Sequence, residues 1–217
     1  GVINMALSKV DYNSLNVTAA ASKALKWNSA ADGFETGDVA GALVLLETQT
    51  ASSSATLSFT SGIDSTYDEY VFKFIDIHPA TNNVTFQVGF RDGSTAYDAT
   101  KTTTFFRAYH SEDDTNTALE YRTADDLAQA TGFQRLTEGT GGDNDQSCSG
   151  TLHLFNPSST TFVKHFIANI HSAHAADFPE NNFIAGYCNV TAAIDGVQFA
   201  MSSGNIDAGV IKMYGVT

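Results

Sequence analysis

The feature that most constrains this fold is a succession of short apolar runs separated by turn residues. Hydrophobic side chains alternate with polar or small ones, as at Val197, Phe199 and Met201. This two-residue period is typical of a strand with one buried face. Predicted strands cover residues 42–48, 55–60, 70–78, 83–90, 101–110, 131–136, 149–155, 161–171, 183–193, 197–201 and 210–216. Roughly ten strands with turn signals between them predict an all-β antiparallel sandwich or barrel, and we choose a jelly-roll-like sandwich.

Three connections between these runs lead to specific expectations. Residues 80–82 follow Pro79, which ends a strand, and their shortness predicts a hairpin. Residues 156–160 predict a second hairpin. Residues 202–205 are rich in serine, glycine and asparagine and predict a tight turn before the last strand. We expect that strand to be paired inside a sheet, because an unpaired apolar strand invites aggregation.

One acidic segment, residues 112–126, interrupts the strand pattern. Thr123 is suited to the N-cap of a helix, and Asp125 and Asp126 are suited to its first turn. We therefore predict a short helix that begins after Thr123.

Residues 1–41 differ from the rest because their apolar side chains follow no clean period. Asp32-Gly33 is a turn signal in a segment that we interpret as a loop. Such a segment buries its apolar side chains only against something else. We predict an extended arm over 1–41 for attachment or oligomerisation and a sandwich over 42–217; strands packed on the parent sandwich are the alternative. The candidate anchors of the arm are Leu15, Val17, Leu25, Trp27 and Phe34.

Charge and hydropathy exclude several classes of partner. The chain has a net charge of −13 and only 16% charged residues, which argues against binding nucleic acid or an anionic membrane. No apolar run approaches membrane-spanning length, and no charged segment precedes an apolar one as in a signal peptide. We therefore expect no membrane insertion.

The metal-binding residue types do not form a strong pattern. His165 and His171 share a face of one predicted strand but lie about 20 Å apart, too far to bind one zinc ion. Asp143, Asn144 and Asp145 offer the oxygen ligands that calcium prefers, without the distal glutamate of an EF-hand. This loop is a weak calcium candidate, and a solvated loop is the alternative.

Catalytic signatures are missing from the sequence. It has no nucleophile elbow, zinc-protease helix or phosphate-binding loop, and no spacing singles out a carboxylate pair. We expect no enzymatic activity and no cofactor. Tyr97, Tyr109 and Tyr121 fall near loops and are candidate stacking platforms for a sugar ligand, with packing as the alternative.

Four segments together resemble a known class of proteins. They are a hydrophobic strand, an SSGN turn and a terminal YG strand in 193–217, the YDEY run at 67–70, the RDGS turn at 91–94 and the GTLHLFNPSS run at 150–159. In these segments, and in composition from about residue 41 onward, the chain resembles bacteriophage virion proteins of the tail-fibre or surface-fibre type, especially from marine phages.

The resemblance implies a compact β-sandwich tip or knob, usually trimeric, on a virus particle assembled in the host cytoplasm. It implies a non-enzymatic virion protein (fibre, knob or capsid decoration) whose arm docks on other virion proteins and whose sandwich can contact a host-surface glycan. The alternatives are a carbohydrate-binding module and, less favoured, a polysaccharide depolymerase. Because the host cytoplasm is reducing, we expect Cys148 and Cys188 to be free buried thiols, with a bridge as the alternative.

Overall fold

The computed structural model describes residues 23–37 and 43–217, and the chain divides into two compact units after residue 42. In the first unit, β1 (Ala24–Trp27) and β2 (Phe34–Gly37) form an antiparallel hairpin. Its connection contains the predicted Asp32-Gly33 turn, and the amide of Asn28 donates to the carbonyl of Gly33. The rest of the predicted arm lies outside the described residues.

The second unit is an antiparallel β-sandwich, as predicted. Its strands are β3 (Leu43–Thr50), β4 (Thr56–Phe59), β5 (Glu69–Pro79), β6 (Phe86–Arg91), β7 (Lys101–His110), β8 (Thr117–Tyr121), β9 (Gln134–Arg135), β10 (Cys148–Phe155), β11 (Lys164–His174), β12 (Phe178–Cys188), β13 (Gly196–Met201) and β14 (Ile206–Val216). An eight-stranded sheet has the order β3-β14-β5-β10-β11-β12-β7-β8, and a four-stranded sheet has the order β4-β13-β6-β9.

Aromatic side chains from both sheets form the centre of the core. Phe199 of β13 contacts Phe72 and Phe74 of β5 with ring centroids 5.5 and 5.1 Å apart. Phe59 of β4 and Phe86 of β6 complete the cluster, and all five side chains are buried. Because these rings span the gap between the sheets, alternation on each strand leaves the opposite face of the eight-stranded sheet available for other contacts.

The last strand is paired on both sides, which confirms the prediction for the end of the chain. β14 lies between β3 and β5. Gly204 adopts a φ of 71° in the predicted turn at 202–205, a conformation that favours glycine. The predicted hairpin at 156–160 is also confirmed, because β10 and β11 are antiparallel partners.

The predicted hairpin at 80–82 is wrong. β5 belongs to the eight-stranded sheet and β6 to the four-stranded sheet, so the connection crosses between layers. The reason is that both strands need their phenylalanines in one core, where Phe74 and Phe86 meet at 5.2 Å. Asn83, with a φ of 61°, lies in this connection.

The predicted helix after Thr123 is also wrong, because residues 123–125 form a turn. Asp125 is buried, and its carboxylate accepts from Arg122 Nε at 3.2 Å and Arg135 Nη1 at 2.5 Å. Asp125 is therefore held by ion pairs with a strand and a neighbouring loop rather than by helix amides. Several strands also differ from the prediction: the strand predicted at 131–136 shrinks to β9, that at 183–193 lies earlier, as β12, and that at 161–171 lies later, as β11. β8 lies within the segment 112–126, for which no strand is predicted.

Both cysteines are buried free thiols, as expected. Burial raises the pKa of Cys188 to about 12 and raises the pKa of Cys148 still further. Cys188 lies between the buried Lys164 and Lys101 in cross-strand register.

Candidate functional site

The outward face of the eight-stranded sheet carries an unusual number of exposed apolar side chains. β11 alternates strictly between buried and exposed residues, with Phe166 and Ala168 inward and Ile167 outward. β7 does the same, with Phe105 inward and Phe106 outward. This alternation follows from the two-residue strand period. Apolar outward positions are therefore properties of the sequence and not consequences of local distortion.

The strand register brings these outward side chains together in rows. Tyr121 of β8 lies opposite Phe106 of β7, which lies opposite Phe183 of β12. The Phe106 and Phe183 rings stack with centroids 4.8 Å apart and planes 9° apart. In the adjacent row, Ile167 of β11 lies opposite Ala185 of β12.

A shallow hollow of about 390 Å³ lies where the small Ala185 side chain leaves space on this face. Ile167, Tyr187, His165 and Thr104 surround it. We call the whole feature the outer strip, and define it by the side chains of Phe106, Leu119, Tyr121, Ile167, Phe183, Ala185 and Tyr187. Leu119 and Ile167 remain 75% and 52% exposed, so the described residues leave this apolar surface uncovered.

The strip is also free of formal charge. On β7, β8, β11 and β12, all of them within the described residues, the outward positions hold no Asp, Glu, Lys or Arg. This contrasts with a chain that carries 24 acidic residues. Asp126 lies at the margin of the strip, where its carboxylate accepts from the Tyr121 hydroxyl at 2.5 Å. Exposed apolar area combined with depletion of charge is typical of an interface core.

A buried ionic cluster supports the sheet directly beneath the strip. Arg107 points inward from β7 and pairs with Glu180 of β12 at 3.0 Å, with Glu120 of β8 at 2.7 Å, and with Glu138. Glu180 has no exposed surface and also accepts from the Ser172 hydroxyl at 2.8 Å. The cluster ties β7, β8, β11 and β12 together, which fixes the spacing of the outward side chains.

The carboxylates of this cluster differ in exposure. Burial raises the pKa of Glu138, against the opposing effect of Arg107 and Arg122. A raised carboxyl pKa is a common property of catalytic acids. Glu180 has no exposed surface, whereas the side chains of Glu138 and Glu120 are 21% and 35% exposed. Glu180 therefore acts within the fold, and Glu138 and Glu120 can be reached from solvent.

The three candidate tyrosines are not brought together. Tyr121 lies on the outer strip. Tyr109 lies on the inward side of β7, where the Arg107 guanidinium is 4.8 Å from its ring centroid and Phe178 is 4.9 Å away. Tyr97 lies beyond β6, half-buried, with Arg91 5.9 Å from its ring. These positions do not form one stacking platform.

Three of the five candidate arm anchors lie within the described residues. Leu15 and Val17 lie outside the described residues. Trp27 and Phe34 face each other across the hairpin and stack with centroids 4.4 Å apart. Trp27 is 62% exposed, and Leu25 is also exposed. The hairpin thus presents an apolar ring pair.

The candidate calcium loop forms a compact turn. The amide of Gln146 donates to the Asp143 carbonyl at 2.8 Å, and that carbonyl also lies 3.2 Å from His78 Nε2. Asn144 and Asp145 line an open polar hollow with Asp76 and Asp207. Across residues 23–37 and 43–217, no three His, Cys, Asp or Glu side chains are grouped to hold a metal ion. The exposed His165 and His171 share a face of β11, and His153 lies opposite Ile167.

Comparison of the chain with protein-family models finds no match, and comparisons with curated proteins and with solved structures find none either. Within the described segments, no helix has the length and apolar character needed to cross a membrane. Function must therefore be inferred from the geometry.

Sequence reasoning missed most of the outer strip. Only Tyr121 was among the candidates, because the tyrosines were chosen for their nearness to loops. A usable signal was present: β11 places Ile167 between His165 and Asn169 on the face opposite Phe166 and Ala168. Apolar residues on both faces of an alternating strand indicate a second contact surface.

Proposed function

We propose that this protein is a non-enzymatic structural protein of a bacteriophage particle (a fibre, knob or capsid decoration) that forms a homotrimer. Its sandwich is displayed on the particle exterior, and its N-terminal segment attaches it to other virion proteins. The observation that carries the proposal is the separation of a self-contained sandwich from a hairpin whose apolar ring pair is exposed. The resemblance of residues 41–217 to phage fibre proteins supports the same conclusion.

Exposed aromatic rings on a small hairpin favour burial in a partner. Full burial of an aromatic side chain contributes about 1.5–3 kcal/mol, and Trp27 is 62% exposed. The β1–β2 hairpin is a two-stranded ribbon, which is marginally stable alone. Contact with another subunit would stabilise both its fold and its rings.

The acidic composition suits an exterior protein. A net charge of −13 keeps the surface soluble and opposes binding to nucleic acid.

The attachment role is tested by the mass of the full chain in sedimentation experiments. We expect a trimer that dissociates in Trp27→Ala and persists in Lys26→Ala. Lys26 is the matched control because it lies beside Trp27 on β1 and makes only an exposed ion pair with Glu35, at 3.4 Å. A wild-type monomer, or equal masses for both variants, would contradict the proposed role of the hairpin.

The non-enzymatic role needs a separate experiment. Incubation with bacterial surface polysaccharides is expected to release no new reducing ends. Sustained release that scales with protein concentration would show a depolymerase and overturn this part of the proposal.

A further inference from the structure

We infer that the outer strip is the contact surface for a second copy of this chain, packed sheet face against sheet face. The inference goes beyond the hairpin contact of the proposed function, because it places a second interface on the sandwich itself. It depends on the proposed function in one respect: several copies of the chain must lie together on one particle.

The exposed area of the strip favours a macromolecular partner. Leu119 is 75% exposed, Ile167 52%, and Phe106 and Tyr121 are also exposed. Since aromatic side chains offer about 150–250 Å² each, these exposed parts sum to several hundred Å². A patch of that size matches the largest apolar patch on a typical soluble monomer, which is often a functional surface.

Charge identifies the second copy as the occupant. Two chains of net charge −13 repel each other wherever their acidic surfaces meet. The strip is the face on which four adjacent strands present no acidic side chain outward. Packing strip against strip therefore keeps the carboxylates of both copies apart. A basic or acidic macromolecule would find no opposite charge on it.

The shape of the strip also favours an apolar protein surface over a glycan. Phe106 and Phe183 stack on each other, so each ring already has one face covered. Sugar sites combine aromatic faces with several converging polar groups. Thr102, Thr104, His165 and the Tyr187 hydroxyl border the hollow, but most of its lining surface is apolar. A leucine or tyrosine side chain from a second copy fills such a hollow without leaving polar groups unpaired.

The test compares two glutamate substitutions that change net charge equally. Ile167→Glu places a carboxylate beside the hollow, on the β11 side of the strip. Leu45→Glu is the matched control, because Leu45 is also 52% exposed and lies in the same cross-strand row. Four strand spacings, or about 19 Å, separate the two positions. Lys73 and Lys212, on the strands between them, mark the boundary of the uncharged surface.

Sedimentation velocity of the full chain from low to high micromolar concentration provides the readout. Because a strip-against-strip contact joins copies in pairs, we expect wild-type trimers to pair into hexamers, six times 23.1 kDa, as the concentration rises. We expect Ile167→Glu to weaken association about tenfold or more, and Leu45→Glu to match the wild type. If circular dichroism shows that Ile167→Glu is unfolded, Leu119→Glu on the exposed edge strand replaces it.

Several outcomes would overturn the inference: a wild type that stays monomeric, equal effects of the two substitutions, or binding of a glycan by a monomer that Ile167→Glu abolishes. The hairpin variants separate this inference from the proposed function. Dissociation by Trp27→Ala but not by Ile167→Glu would leave the proposed attachment intact and reject the strip. Dissociation by Ile167→Glu but not by Trp27→Ala would support the strip contact and reject the proposed role of the hairpin.

Discussion

Replacing Glu180 by alanine should cost more stability than any other single change in the ionic cluster. One carboxylate oxygen of Glu180 accepts from Ser172 at 2.8 Å, from Asn182 at 3.1 Å and from the amide of Glu138 at 3.1 Å. The other oxygen accepts from Arg107 at 3.0 Å. In Glu180→Ala, all of these donors lose their hydrogen-bond acceptor in a site from which water is excluded.

The magnitude follows from the burial of both charges. Breaking a buried ion pair by removing one partner costs about 3–5 kcal/mol. Arg107 keeps Glu120 and Glu138 as partners, which offsets part of the electrostatic loss. Leaving a buried donor unsatisfied costs about 1–3 kcal/mol, which compensates for the part that these two carboxylates offset. We therefore expect Glu180→Ala to lower the free energy of unfolding by about 3–5 kcal/mol.

Urea unfolding followed by circular dichroism measures this difference. Glu120→Ala is the matched control, because Glu120 pairs with the same Arg107 but remains partly exposed. The ion pair between Glu120 and Arg107 contributes about 0.2–1 kcal/mol to the free energy of unfolding. A loss below about 1 kcal/mol for Glu180→Ala, or equal losses for both variants, would refute the view that this cluster holds the four strands together.

Three further predictions concern glycine geometry, pH and thiol access. Gly209→Ala should destabilise by about 1–3 kcal/mol, because φ is 118° and the new Cβ would lie 2.6 Å from the Asp76 carbonyl. Gly93→Ala, with φ of 90° and open space around it, should cost less in the same urea titration; equal costs would contradict the steric reasoning. Burial lowers the pKa of His174 below its usual 6.5, so its contribution to stability is present above pH 6.5 and is lost as the pH falls through the folded pKa. Urea midpoints should fall over that range less steeply in His174→Gln, and an unchanged slope would exclude His174 as the cause. Burial raises the pKa of Cys188 to about 12, so a thiol reagent should label it only in denaturant; fast native labelling would contradict its burial.

Most of the strands could be predicted from the alternation of apolar and polar side chains. The period-two pattern of Val197, Phe199 and Met201 placed β13 correctly, because one face of that strand meets the core. Which strands pair could not be predicted this way. Segment 80–82 looked like a hairpin because a short connection is compatible both with pairing in one sheet and with crossing to the other. The choice depends on Phe74 and Phe86 meeting across the core.

The candidate site was less accessible to sequence reasoning because it depends on register across four strands. Phe106, Ile167 and Phe183 are far apart in the chain and become neighbours only through the pairing of β7, β11 and β12. The predicted helix at Thr123 failed for a related reason. The sequence suits Asp125 to the first turn of a helix, whereas Arg135, ten residues later, binds it in the fold.

The central claim, that the chain is a structural component of a virus particle, is tested most directly by counting its copies. Quantitative mass spectrometry of purified phage particles whose genome encodes this chain gives its copy number relative to the major capsid protein. The account predicts that the protein is present at a fixed copy number, a multiple of three as expected for trimers. Its absence from intact particles, with abundance only in the infected cell, would contradict the account.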